Sequence, residues 1–195
     1  MKYFIVKYQG PFGFIKPWTA VRDSETFSQQ FLTPSIVAGL ERKLFPELLN
    51  QPYGIYKIIG HRLSYDKMND QQEQIQPKGW NKTKDVLSRE YAILTRIVLL
   101  NPVLWLAFEN EEDAKRANQQ HICLCRNEDI LYPTLDYPEL VSAIDFNSNN
   151  ELFNGFELVF EESDKSFLVG YNRFDNGSPM HGWLRIVGNP INSLQ

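Results

Sequence analysis

The sequence is poor in the residues around which most enzyme centres are built. In 195 residues it has three histidines and two cysteines. His61, His121 and His181 are dispersed, and each reads as a structural histidine. Cys123 and Cys125 are two apart with only His121 nearby, so they lack the partner set of a zinc site and the geometry of a comfortable disulfide. They read as buried free thiols suited to a reducing cytoplasm. No Gly-x-Ser-x-Gly, Walker loop or His-Glu-x-x-His occurs. Gly10-Pro-Phe-Gly13 lacks the third glycine and the following helix of a dinucleotide fingerprint. The acidic runs Glu109–Asp113 and Glu161–Asp164 read as solvated rather than as catalytic pairs. No catalytic residue, metal or cofactor is therefore expected. Long apolar runs are missing too: Ile97–Leu106 is interrupted by Asn101 and Pro102 and is too short to span a bilayer. No signal-peptide pattern opens the chain, so a cytoplasmic location away from membranes is expected. There is no internal repeat and no clear linker.

What is present is a sizeable potential core, 43% hydrophobic with 13% aromatic residues, enough for one domain with an appendage. The net charge of −4 hides an asymmetry. Residues 1–100 carry 14 Lys+Arg against 9 Asp+Glu, and residues 101–195 carry 6 against 15. A basic half joined to an acidic half points to nucleic acid on one side only.

Lys2–Gln9 predicts a first strand, rich in β-branched and aromatic residues. After a long connection, Thr33 predicts a helix N-cap with Pro34 in the first turn, followed by Ile36, Val37, Leu40 and Leu44 at helical spacing. Tyr53–Leu63 predicts a strand with a basic end at His61-Arg62. Asp66–Asp85 is Gln-rich and nearly free of aliphatics, which predicts a protruding hairpin or loop with Pro77 and Gly79 near its tip. Leu87–Leu99 and Pro102–Phe108 predict strands. Asn110–Gln120 predicts a short helix with an Asn cap and an acidic first turn. Further short strands are expected at His121–Cys125, Phe156–Phe160, Ser166–Tyr171 and Trp183–Val187, with Asn176-Gly177 marking a hairpin. This order suggests an α+β, ferredoxin-like (RNA-recognition-like) domain.

The positive chemical signal is for RNA. Lys16, Trp18 and Arg22 lie on the connection after the first strand. Lys78, Trp80, Lys82 and Lys84 lie on the polar protrusion. Cations attract phosphates, and an exposed indole stacks on a base. Arg62, at the basic strand end, joins them as a candidate RNA-binding residue.

Two segments resemble a known family. GPFGFIKPW, a hydroxyl-rich connection and FLTPSIVAGLERKLFP, with Thr33, Pro34, Ser35 and Gly39 in place, are similar to the Cas-five family of CRISPR-associated (RAMP superfamily) proteins. Leu124-Cys-Arg-Asn-Glu-Asp129 resembles that family's Leu-Gly-Arg-x-Glu-Asp segment, with Cys125 replacing glycine. The resemblance covers about 130 residues loosely and about 45 well. It implies an RNA-recognition-like domain over 1–132, with a thumb at about 64–86; the acidic, strand-rich remainder, 133–195, lies outside the resemblance and is expected as a β-rich extension packed on the same domain. It also implies a non-catalytic subunit of a Cascade-like interference complex. Such a subunit holds the 5′ handle of the CRISPR RNA and contacts repeated backbone subunits and a large subunit, with target DNA or RNA nearby. Under it, Thr33 and Ser35 would offer an anion site at a helix start, Arg126 would sit beside the same RNA, and the thumb's Lys78, Trp80 and Lys82 would wedge against guide bases. One branch of the family is a metal-independent endoribonuclease that uses a Tyr and a Lys-His pair. This chain has Tyr53 and Tyr56 near a suitable place but no Lys-His dipeptide, so cleavage of precursor RNA stands as the alternative.

Overall fold

The computed structural model describes residues 1–17, 25–75, 80–89, 92–148, 151–172 and 175–192. In chain order its elements begin with β1 (Lys2–Gln9), β2 (Phe12–Gly13), β3 (Glu25–Phe27), α1 (Pro34–Leu44) and β4 (Ile58–Ser64). There follow β5 (Lys67–Ile75), β6 (Trp80–Thr83), β7 (Val86–Arg89), β8 (Ala92–Leu100), β9 (Val103–Phe108) and α2 (Glu111–Asn118). The remainder is β10 (Ile122–Cys123), β11 (Ile130–Pro133), β12 (Glu139–Ser142), α3 (Ala143–Asn147), β13 (Gly155–Val159), β14 (Phe167–Asn172) and β15 (Ser178–Val187). The class is α+β, mostly antiparallel sheet with few helices.

β1 carries apolar residues on both of its faces because both are covered in its middle. Val6 and Tyr8 point to the side where α1 and α2 pack, joining Leu40, Leu44, Leu104, Leu106, Phe108, Ala114 and Ala117 in one core. Ile5 points the other way, into a second cluster with Trp105, Ala107, Val141, Phe146 and Phe153. Each fully buried Leu, Ile or Phe of these clusters contributes about 1.5–3 kcal/mol relative to exposure. The Tyr8 hydroxyl donates to Ala117 O at 2.6 Å, tying α2 to the sheet across 109 residues.

The two longer helices, α1 and α2, start where their sequences predict. Thr33 is the N-cap of α1, with Pro34 in the first turn. The Asn110 side chain accepts from the amides of Glu112 and Asp113, and three acids in the first turn of α2 complement its dipole. Glu41, fully buried on α1, receives the backbone N–H groups of Tyr56, Lys57 and Ile58. That capture holds the chain irregular up to Lys57, so the strand expected from Tyr53 begins at Ile58.

The large sheet runs β10-β11-β1-β9-β4-β13-β15-β14, with β12 alongside the N-terminal half of β1. Residues beyond 133 thus add strands to both ends of the same sheet. The Asn176-Gly177 hairpin joins β14 to β15, with both residues at positive φ (48° and 74°). The two cysteines are free but not buried: Cys123 is half-buried and Cys125 exposed. Strand β10 ends at Cys123, so the strand alternation expected to bury both does not reach Cys125. Among the described residues, no helix is long and apolar enough to cross a membrane.

Candidate nucleic-acid interface

β4 and β9 are antiparallel neighbours, with Ser64 opposite Val103, and a tight hairpin turn would suffice to join them. Instead the chain continues as a ribbon, β5 with β8, whose root belongs to a second, four-stranded sheet in which β8 also pairs with β2 and β3. β5 pairs with β8 along nine residue pairs, from Lys67↔Leu100 to Ile75↔Ala92. The ribbon's root is tied down: Asn101 Nδ2 donates to Asp66 Oδ2 at 2.7 Å, and the Asp66 amide donates to Leu100 O at 3.0 Å. A smaller hairpin, β6–β7, forms the far end. Its turn is Lys84-Asp85, with Lys84 at φ 56°. The described turn of the arm is thus at Lys84-Asp85; Pro77, Lys78 and Gly79 lie outside the described residues.

The tip exposes apolar and cationic side chains on both of its faces, with Val86 opposite Thr83 on the face away from Trp80. Trp80 and Lys82 are two apart on β6 and share a face, with Leu87 opposite Lys82. Trp80 is 60% exposed, and Val86 and Leu87 are comparably so. Lys82 and Lys84 are exposed as well. An indole, two aliphatic side chains and two ammonium groups stand on a narrow two-stranded arm. Val86 and Leu87 are additions to the expected set. Their only sequence signal is two adjacent aliphatics in a polar stretch.

Two of the expected arginines are corrected. Arg62 has 0% exposure. Its guanidinium is paired with Glu157, donates to His61 O at 2.7 Å and lies over the Phe146 ring at 4.6 Å. Arg185 approaches the same Glu157 carboxylate at 3.1 Å. Burial lowers the pKa of Arg62, and Glu157 opposes that. Arg62 thus locks β4, β13 and α3 together and has no exposed donor face for a phosphate. Arg126 is likewise engaged. It contacts Asp129 through Nη2 (2.7 Å) and Nε (3.0 Å), Gln71 Oε1 (3.0 Å), Glu128 (3.3 Å) and Glu73. Arg96 reaches Glu73 from the other side, and the guanidiniums of Arg126 and Arg96 lie over Phe14, at 5.2 and 5.6 Å. Burial works against the charged form of Arg126, but the bonds from Asp129 and Glu73 leave its pKa raised. This residue staples β5 of the ribbon to the loop after β10.

At the start of α1 the geometry is less open than expected. Thr33 is buried and makes no side-chain cap bond; its hydroxyl lies 3.1 Å from that of Ser35. Ile36 and Val37 donate their amides to Thr33 O. Ser35 alone of the pair faces solvent. Lys16 is exposed where the chain leaves β2. Trp18 and Arg22, further along that connection, lie outside the described residues. The surviving candidates thus occupy three places: the ribbon tip, the helix start and the connection after β2.

One cluster of chemically active groups forms elsewhere. The His121 ring lies 5.9 Å from that of Tyr132, and Lys43 Nζ donates to His121 O. His121 and Lys43 are exposed. Tyr53 and Tyr56 are committed to backbone carbonyls, of Ser35 at 3.3 Å and Pro52 at 2.8 Å. Among the described residues, no group of three or more His, Cys, Asp or Glu is placed to hold a metal ion.

No protein-family model matches the sequence, and no curated protein does. Among solved structures, the chain is similar in fold to a chain of a "CRISPR RNA-guided surveillance complex". The TM-score is 0.51 at 14% identity, over 97% of this chain and 90% of that one.

Proposed function

We propose that the protein is a non-catalytic, RNA-binding subunit of a CRISPR interference complex of the Cascade type, a Cas-five-like subunit that holds the repeat-derived 5′ handle. The observation that carries this reading is the stapled ribbon, with Trp80, Lys82 and Lys84 exposed at its end. The sheet order β11-β1-β9-β4, with α1 and α2 as the crossovers, supports a ferredoxin-like body. In RNA-recognition modules the helix-free sheet face carries the stacked bases. Here Phe146 and Phe153 cover that face, which favours the ribbon and the connection bearing Lys16 as the proposed RNA-binding surface. Similarity over nearly the full length to a chain of an RNA-guided complex supports the same assignment. Backbone and large subunits, and the target strand, are the partners it implies.

The endoribonuclease alternative has one observation in its favour, the approach of Lys43, His121 and Tyr132. A single titration separates the readings. Synthetic single-stranded repeat RNA is bound by the purified chain over a salt series in EDTA. Binding that weakens with salt and leaves the RNA intact is expected. Lys82→Ala with Lys84→Ala should lower affinity and reduce the salt slope by about 0.7 for each phosphate no longer neutralised. Unaltered affinity and slope in that variant reject the tip as the RNA-binding surface. Specific cleavage in EDTA, abolished by His121→Ala, replaces the binding role with the catalytic one.

A further inference from the structure

A groove of about 430 Å³ opens between β3 with the segment following it and the far strands of the large sheet, lined by Pro17, Phe27, Ser28, Gln29, Gln30, Phe31, Phe156 and Leu184. Its volume falls in the ~300–1,000 Å³ range of small-ligand clefts. Its shape has a local cause. The Gln29 amide donates to Ile15 O at 2.9 Å, and the Ile15 amide donates to the Ser28 hydroxyl at 2.9 Å. These bonds lay residues 15–17 beside residues 28–29; Pro17 lies in the wall, and Lys16, its neighbour in the chain, is exposed. Phe156 and Leu184 supply an apolar contribution from β13 and β15. Phe27, on β3, is 59% exposed at the edge, an unusual position for a phenylalanine in a three-residue strand. None of the described lining residues is charged. The polar groups in the lining are amides and a hydroxyl, and the Gln29 Oε1 atom is buried with no hydrogen-bond partner among the described residues.

We infer that this groove is a nucleobase pocket, in which one unpaired base of the bound RNA stacks on Phe27 while its phosphate meets Lys16. The inference rests on the RNA-binding reading above and adds a second point of attachment, distinct from the ribbon tip. The match is chemical. A base is flat, neutral and edged with donors and acceptors. It suits an aromatic platform walled by neutral amides and hydroxyls, and its charge lies on the phosphate, outside. An extended strand that placed phosphates inside would meet no cation among the described lining residues. Lys16 sits one residue beyond the Ile15 bonds that shape the wall, where the backbone of a base inserted in the groove would pass.

The test uses the intact chain and synthetic single-stranded repeat RNA, together with copies of that RNA lacking the base at one position at a time. Phe27→Ala should weaken binding about 5- to 150-fold, the range for removing one base–aromatic stack. The salt slope should not change, because a stack releases no counterions. Phe27→Trp should restore affinity, and Phe27→Leu, apolar but unable to stack, should not. One abasic position should cost wild type the same factor and cost Phe27→Ala nothing further. Lys16→Ala should instead lower the slope. Thermal melting confirms that the variants, altered at an exposed site, remain folded. If wild type binds and Phe27→Ala binds equally, or if Leu rescues as well as Trp, the pocket is overturned and the ribbon-tip reading stands. If wild type binds no RNA, both fall.

Discussion

His61 is fully buried on β4, with its Nε2 unpartnered among the described residues. Burial, with the positive charge of Arg62 adding to it, pushes its pKa down from 6.5 to about 3. In the unfolded chain the imidazole regains its ordinary value, so between pH 6.5 and 3 the unfolded state binds the extra proton. Stability is therefore complete above about pH 6.5 and falls as pH drops, by about 1.4 kcal/mol per unit. Urea unfolding at pH 7 and pH 5 should show wild type losing about 2 kcal/mol more than His61→Leu, which has nothing to titrate there. Equal losses in the two proteins would mean that His61 is protonated without unfolding. The neighbouring Arg62 shows where a sequence stops being informative. A His-Arg pair at a strand end reads as an exposed basic patch. What buries it is Glu157, 95 residues away on β13, a pairing that no local pattern announces.

Elements marked by apolar enrichment or by a cap were legible, and a polar strand exposed to solvent was not. β1 and both longer helices follow from β-branched and aromatic enrichment, the Thr33-Pro34 start and the Asn110 cap. The ribbon could be seen only as a polar excursion. Asn69, Asp70, Gln72 and Gln74 of β5 are all exposed, so no hydrophobic alternation marks it as a strand, and its register is set by β8. Its attachment was equally hidden. Arg126 reads as an RNA-binding residue because of its motif, but its charge is consumed by Asp129, which has 0% exposure, and by Glu73. Arg126→Ala should cost about 3 kcal/mol, the order for leaving a buried carboxylate without its partner. It should also speed amide exchange in β5 and β8 more than in β1 and β9. Lys at 126 should recover only part of that stability, because an ammonium cannot span Asp129, Gln71 and Glu73 as the planar fork does. Exchange that rises uniformly across the chain would show Arg126 to be a general stabiliser rather than the ribbon's anchor.

For the whole molecule, the charge division along the sequence has a spatial counterpart. The acidic half supplies α2, the outer strands β10, β11 and β12 and the far strands β13, β14 and β15, while the ribbon, drawn from the basic half, projects from the β4–β9 junction. Residues 76–91 carry Lys78, Lys82, Lys84 and Arg89 against Asp85 and Glu90. The fold supplies a clean way to ask whether that arm is an RNA device or part of the body. Ile75 and Ala92 are direct partners in the ladder, so replacing residues 76–91 with Asn-Gly closes the ribbon by a two-residue turn of the kind hairpins prefer. The described tip side chains from Lys82 to Ser88 are all exposed, so little burial is removed and the melting temperature should stay within a few degrees. Under the proposed RNA-binding role, affinity for repeat RNA should fall sharply, and the salt slope should drop by about 1.4–2.8, corresponding to two to four neutralised phosphates on a single strand. A shortened chain that melts as wild type does and binds RNA with the original slope would show that the arm is not the RNA-binding surface.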